Sequence, residues 1–203
     1  MSFFESLKKS ALSALKRASK KAVKNAVNAA LENIGKGRNY TEKFTFIDLP
    51  QNVEELKALP EAKLDTAFKT TALVILALNR YEADPEAAIA MLGFLKGPEE
   101  FGGAEQSFLK DRLSGEGYKA RSFLGGATAE NDYTPNIPYT VAVSENPYSF
   151  DEENWATMYV TSGGADNPRP IKLRKKPSTG EWFLNDIQCL GDIRLPKSED
   201  KWA

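Results

Sequence analysis

The sequence predicts an α+β fold: a long N-terminal helix, then a helical segment packed on a C-terminal antiparallel β-meander. Three observations predict it. Residues 1–38 are basic with apolar side chains at helical spacing. Residues of about 52–114 carry helix caps and 3.6-residue periodicity. Residues of about 119–190 break into short β-branched and aromatic runs separated by Gly, Pro, Asn and Ser. The division is a basic arm and linker, 1–38, followed by one α+β domain, 39–203.

In the arm, Phe4, Leu7, Ala11, Leu15, Ala18, Ala22 and Ala26 step by three or four residues. The recurrence of about 3.67 residues per turn keeps one stripe on one face of a nearly straight helix. Lys9, Lys16, Arg17, Lys20, Lys21 and Lys24 fall on the other side. From Val23 the stripe passes to Val27, Ala30 and Ile34 on a different face. Ser2 suits the N-cap and Gly35 the stop.

"KFTFIDLP" alternates Phe44 and Phe46 as a short strand, and "NVEELKAL" is a short helix closed by Pro60. Asp65 is placed to cap a helix running to about Tyr81, whose "TALVILALNRY" stretch is apolar nearly all round and implies burial on several sides. Asp84 at the N-cap, Pro85 at the first helical position and Gly97-Pro98 at the end bound the next helix. A further helix at about 104–114 groups Phe108, Leu109 and Leu113. Strands follow at about 119–124, 138–145, 156–162, 168–176 and 181–188. The last two form a hairpin around "PSTG", with Leu173 opposite Leu184 and Lys175 opposite Trp182. Ile171, Leu173, Trp182 and Leu184 then face the core.

Composition limits the chemistry. The 203 residues carry a net charge of −1, but residues 1–38 hold nine Lys/Arg against Glu5 and Glu32, a net +7, which leaves −8 for the remainder. No histidine is present, so triads and imidazole proton transfer are excluded. Cys189 is the only cysteine, which removes an intramolecular disulfide and a cysteine metal cluster, and its apolar flanks predict a buried, inert thiol. No catalytic, metal or cofactor-binding constellation emerges, and no cofactor is expected.

Three readings of the arm stand side by side. It lies on an anionic membrane through Phe3, Phe4, Leu7 and Leu15, with Lys16, Arg17, Lys20 and Lys21 adding charge. It pairs with a protein partner or with itself, Val23, Val27 and Ile34 supplying the second face. Or it rests on its own acidic domain. Nucleic acid fits less well, because the arm lacks Arg richness and interleaved aromatics. The segment has no continuous apolar core of signal-peptide length, although an organellar transit peptide shares its composition.

Elsewhere, Arg169, Lys172, Arg174 and Lys176 form a stripe suited to a polyanion, with Phe183 beside Arg174 available for stacking; the plainer reading is a solvated outer sheet face. Three Gly-Gly-Ala sequences, at 102, 125 and 163, offer backbone N–H groups to a phosphate but continue into no nucleotide motif. Tyr81, Tyr118, Arg121, Tyr139, Trp155 and Tyr159 are candidates to line a pocket between helices and sheet.

The strings "LPEAKLDTAFKTTALVILALNRYE", "FLKDRLSGEGYKARS", "NDYTPNIPYTV" and "SGGADNPRPIKLRKKPSTGEWFL" resemble a family of uncharacterised proteins of anaerobic Gram-positive bacteria, a domain of unknown function, over about residues 44–203. That resemblance implies a bacterial, intracellular protein and carries no activity. The order of helices and meander also resembles nuclear-transport-factor-2-like folds, many of which enclose a small-molecule pocket. The function expected is a non-catalytic binding or scaffold protein, cytoplasmic and peripheral at the inner face of the membrane; the alternative is a pocket protein or enzyme of that second fold type.

Overall fold

A computed structural model of the chain describes residues 39–202. It opens on a strand, β1 (Tyr40–Phe46), followed by helices α1 (Val53–Ala58), α2 (Ala67–Arg80), α3 (Pro85–Lys96), α4 (Gly103–Leu113) and α5 (Tyr118–Arg121). Strands β2 (Tyr139–Glu145), β3 (Trp155–Val160), β4 (Arg169–Lys175) and β5 (Trp182–Ile187) complete the chain. All five strands form one antiparallel sheet in the order β1-β2-β3-β4-β5.

This corrects the expected fold class. The first described element is a seven-residue strand and the first helix has only six residues. The long helix was assigned to residues 1–38, which lie outside the described residues. Nor is the sheet wholly C-terminal. Phe44 and Phe46 are buried on alternate positions of β1, and that strand pairs with β2 along its whole length, Tyr40 opposite Glu145 and Phe46 opposite Tyr139. The helices are therefore an insertion between two neighbouring strands of one sheet.

Helix α2 is the axis of the core. Every residue from Thr70 to Leu78 is buried, as its nearly continuous apolar composition requires, and the helix packs across β2, β3, β4 and β5. Its N-cap is Thr66 rather than Asp65. The Thr66 hydroxyl accepts from the Lys69 N–H at 3.3 Å, while Asp65 pairs with the Lys69 ammonium at 2.8 Å. Helix α3 starts as the sequence indicates, with Asp84 accepting from the Ala87 N–H at 3.0 Å and Pro85 following.

The expected strand at about 119–124 is instead α5 and the turn after it. Arg121 N–H donates to the Gly117 carbonyl and Ser122 N–H to the Tyr118 carbonyl, as in a helical turn. This places Tyr118 against Tyr133, ring centroids 5.6 Å apart, and lets the Asn79 amide donate to the Ala120 carbonyl at 3.0 Å. The remaining strands fall within a few residues of their expected limits. The terminal hairpin has the expected register, Leu173 opposite Leu184 and Lys175 opposite Trp182, with Ile171, Leu173, Trp182 and Leu184 buried. Beyond Leu173 a bulge shifts the pairing, so that Lys172 opposes Asp186.

The two outer strands are treated differently. The free side of β5 is occupied: Trp182 N–H donates to the Leu64 carbonyl at 2.8 Å, the Thr70 hydroxyl to the Trp182 carbonyl at 2.9 Å, and the Lys96 ammonium to the Asn185 carbonyl at 3.1 Å. Such side-chain and loop contacts prevent another strand from adding there. The face of the sheet turned away from α2 carries Thr41, Lys43, Ser144, Trp155, Thr157, Tyr159, Lys172 and Arg174, half-buried to exposed.

Candidate functional site

Two surface concavities among the described residues flank β5. Chain reversal after α3 demands Gly97, which has φ of +71°; a Cβ there would stand 2.2 Å from the Phe183 ring. The close approach brings Pro98 and Glu99 over the end of the β4–β5 hairpin. Between them opens a groove of about 250 Å³ lined by Pro98, Glu99, Arg174, Lys176, Pro177 and Phe183, among others. A second groove of about 200 Å³, lined by Phe101, Phe108, Asp186 and Ile187, lies on the other side of Lys96.

Lys96 borders both grooves. Its side chain is 8% exposed, and its ammonium pairs with the Glu105 carboxylate as well as the Asn185 carbonyl. Glu105 in turn accepts from the Gly102 N–H at 2.6 Å. Burying an ammonium without such partners is strongly destabilising. The first Gly-Gly-Ala sequence thus opens α4, and its first N–H is taken by the helix's own acid.

The other two Gly-Gly-Ala sequences serve close packing. Gly163 N–H donates to the Ser122 carbonyl, and a Cβ at Gly163 would stand 1.9 Å from the Ala127 carbonyl oxygen. At Gly164 a Cβ would stand 2.2 Å from the Tyr133 hydroxyl. Gly125 pairs by backbone with Thr140 and Asn136.

The basic stripe is distributed among neighbours within the chain. Arg169 donates to the Asp192 carbonyl at 2.7 Å. Arg174 pairs with Glu99 at 3.2 Å and lies over Trp155, 5.2 Å from the ring centroid. Lys175 lies over Trp182 at 5.7 Å. Lys172 is exposed opposite Asp186, and Lys176 is exposed at the hairpin. Phe183, proposed for stacking, has Gly97 against its ring.

The aromatic candidates do not converge. Tyr81 and Tyr118 are buried in the core, and Tyr139 packs against it. Trp155 and Tyr159 lie on the opposite face of the sheet, and Arg121 pairs with Glu82 at the surface. The acids Asp151, Glu152 and Glu153 are exposed in the β2–β3 connection. The arm residues Phe3, Phe4, Leu7, Leu15, Lys16, Arg17, Lys20, Lys21, Val23, Val27 and Ile34 lie outside the described residues.

Displaced pKa values have structural causes. Burial pushes the Cys189 thiol up to about 12. Burial also raises Glu42, assisted by Asp65 and Glu61 and opposed by Lys69. Asp84 is lowered, first by the backbone N–H of Ala87 that it caps and then by Arg80. Among the described residues no group of three or more Cys, Asp or Glu is placed to hold a metal ion, and no helix is long and apolar enough to cross a membrane.

Sequence reasoning missed the groove because it joins Glu99 to Arg174, 75 residues apart. The one local signal was the Gly97-Pro98 pair, which reads only as a helix stop. No curated protein and no solved structure matches the chain at a significant level. A family model described as "Domain of unknown function (DUF6935)" matches residues 48–197, nearly all of the folded body from the end of β1 to beyond β5. The chain belongs to this family of domains of unknown function.

Proposed function

We propose that the protein is a non-catalytic binding or scaffold protein whose acidic body is attached through its basic N-terminal segment to an anionic surface. The observation that carries this is the division of charge: +7 in residues 1–38 and −8 in the rest. A cluster of that density gains about 1 kcal/mol per Lys or Arg near an anionic bilayer, whereas the body is repelled from it and stands off. Phe3, Phe4, Leu7 and Leu15 add apolar contact. The surface that fits is the inner leaflet of a cytoplasmic membrane, with the protein peripheral to it.

The non-catalytic part is supported by the residue inventory. There is no imidazole, and the one thiol is buried with its pKa far above neutral. Co-sedimentation with vesicles tests the attachment. The full chain is expected to pellet with phosphatidylglycerol vesicles at low salt and not with phosphatidylcholine vesicles. Reversing Lys16, Arg17, Lys20 and Lys21 to Glu is expected to abolish pelleting. A full chain that stays in the supernatant with both lipids overturns the membrane reading and directs the search to a protein partner.

A further inference from the structure

At one end of the sheet, the β2–β3 connection holds an aromatic side chain out of the body. Tyr148 is 74% exposed. Its backbone is nonetheless fixed: Tyr148 N–H donates to the Asn146 side-chain oxygen at 2.9 Å, and Asn146 N–H donates to the Ser149 hydroxyl at 2.9 Å. Ser149 is buried, and Phe150 packs edge-on against Trp182 with centroids 5.7 Å apart. Three exposed acids, Asp151, Glu152 and Glu153, follow directly. The connection is therefore an ordered knob that carries an exposed aromatic ring and, three residues on, three exposed acids.

The groove of about 250 Å³ lies beside it, joined through the Lys175 N–H, which donates to the Asn154 carbonyl at 2.8 Å. Its wall is apolar at Pro98, Pro177 and Phe183, and its rim carries Arg174, Lys175 and Lys176 against Glu99. Tyr148 is not among the residues that line it. Knob and groove are thus complementary in both respects: an aromatic ring with three acids, and an apolar slot whose rim holds three cations, one of them paired with Glu99.

We infer that the groove receives Tyr148 of a second copy of the chain. Because knob and groove stand at the same end of one molecule, a two-fold axis places each Tyr148 in the partner's groove at once, which closes a dimer instead of extending a filament. Asp151–Glu153 then meet Arg174–Lys176 across both halves of the contact, and this charge pattern sets the register. The inference does not depend on attachment through residues 1–38, since every residue it uses lies in the body.

Sedimentation equilibrium of the full chain tests it. The wild-type chain is expected to pass from one to two chain masses as concentration rises, with weaker association at high salt. Tyr148→Ala, Glu152→Lys and Lys176→Glu, all at exposed positions, are each expected to weaken association by about tenfold or more. An equimolar mixture of Glu152→Lys and Lys176→Glu is expected to recover the dimer, because opposite charges then face each other at both contacts. A chain of single mass throughout overturns the inference. So does a dimer that none of the three substitutions weakens, or a mixture that fails to recover.

Discussion

The Tyr133 hydroxyl donates a 2.7 Å hydrogen bond to the carbonyl of Arg194, tying the C-terminal segment to the turn before β2. Tyr133 is fully buried and stacked on Tyr118, and Gly164 leaves the space its hydroxyl occupies. Removing the hydroxyl with Tyr133→Phe strands the Arg194 carbonyl and is expected to cost about 1–3 kcal/mol. Gly164→Ala, which drives a methyl group into the same hydroxyl and into Ile193, is expected to be at least as damaging. Urea unfolding of the two variants measures both.

Thr70 bridges α2 and β5 through its hydroxyl, in the buried first turn of the helix. Thr70→Val keeps the shape and leaves the Trp182 carbonyl without that donor. The expected loss is about 1–3 kcal/mol at an unchanged urea m-value. Thr70→Ser retains the donor and is expected to lose less.

The Cys189 thiol carries a pH dependence of definite sign. Its pKa rises from 9.0 to about 12 on folding, so the native state holds the proton more tightly than the unfolded chain. Stability is then unaffected below pH 9 and falls above it, until the folded value is reached, by up to about 1.4 kcal/mol per pH unit. Cys189→Ala is expected to flatten that part of the profile in guanidinium titrations between pH 8 and pH 10. At neutral pH the native thiol is expected to resist a soluble disulfide reagent and to react once the protein unfolds.

Asp84 works in the other direction. Its pKa is lowered in the fold by the Ala87 N–H and by Arg80, so its contribution is complete above its unfolded pKa and is lost as pH falls through the folded one. Asp84→Ala is expected to lower the melting temperature at pH 7, with the difference from wild type shrinking in acid. Asp84→Asn, which also caps, is expected to fall less.

Local chemistry made much of this fold legible. Asp84 and Pro85 define the start of α3 by side-chain geometry alone, and the turn residues Pro177–Gly180 fix the register of the terminal hairpin. The alternation of Phe44 and Phe46 marked a strand, but nothing in that segment indicates that its partner begins at Tyr139. The expected strand at about 119–124 is a helical turn because six residues mixing Lys119, Arg121 and Ser122 with Ala120, Phe123 and Leu124 are too few to fix a period; the contacts of this turn with Asn79 and Tyr133 decide for the helix. The same limit hid the groove. Glu99, Arg174 and Phe183 are unremarkable in their own segments and acquire meaning only where Gly97 lets the chain cross the hairpin.

The insertion of five helices between paired strands also orders the assembly of the molecule in time. Residues of β1 leave the ribosome about a hundred positions before their partners in β2. Phe44 and Phe46 must wait, without a sheet to enter, while the helices form from contacts that close much shorter loops. Pairing of β1 with β2 closes the longest connection in the sheet. Until β1 pairs, the junction to the basic segment is not yet tied to the sheet. Any capture of that segment by a surface during synthesis would precede completion of the sheet it is attached to.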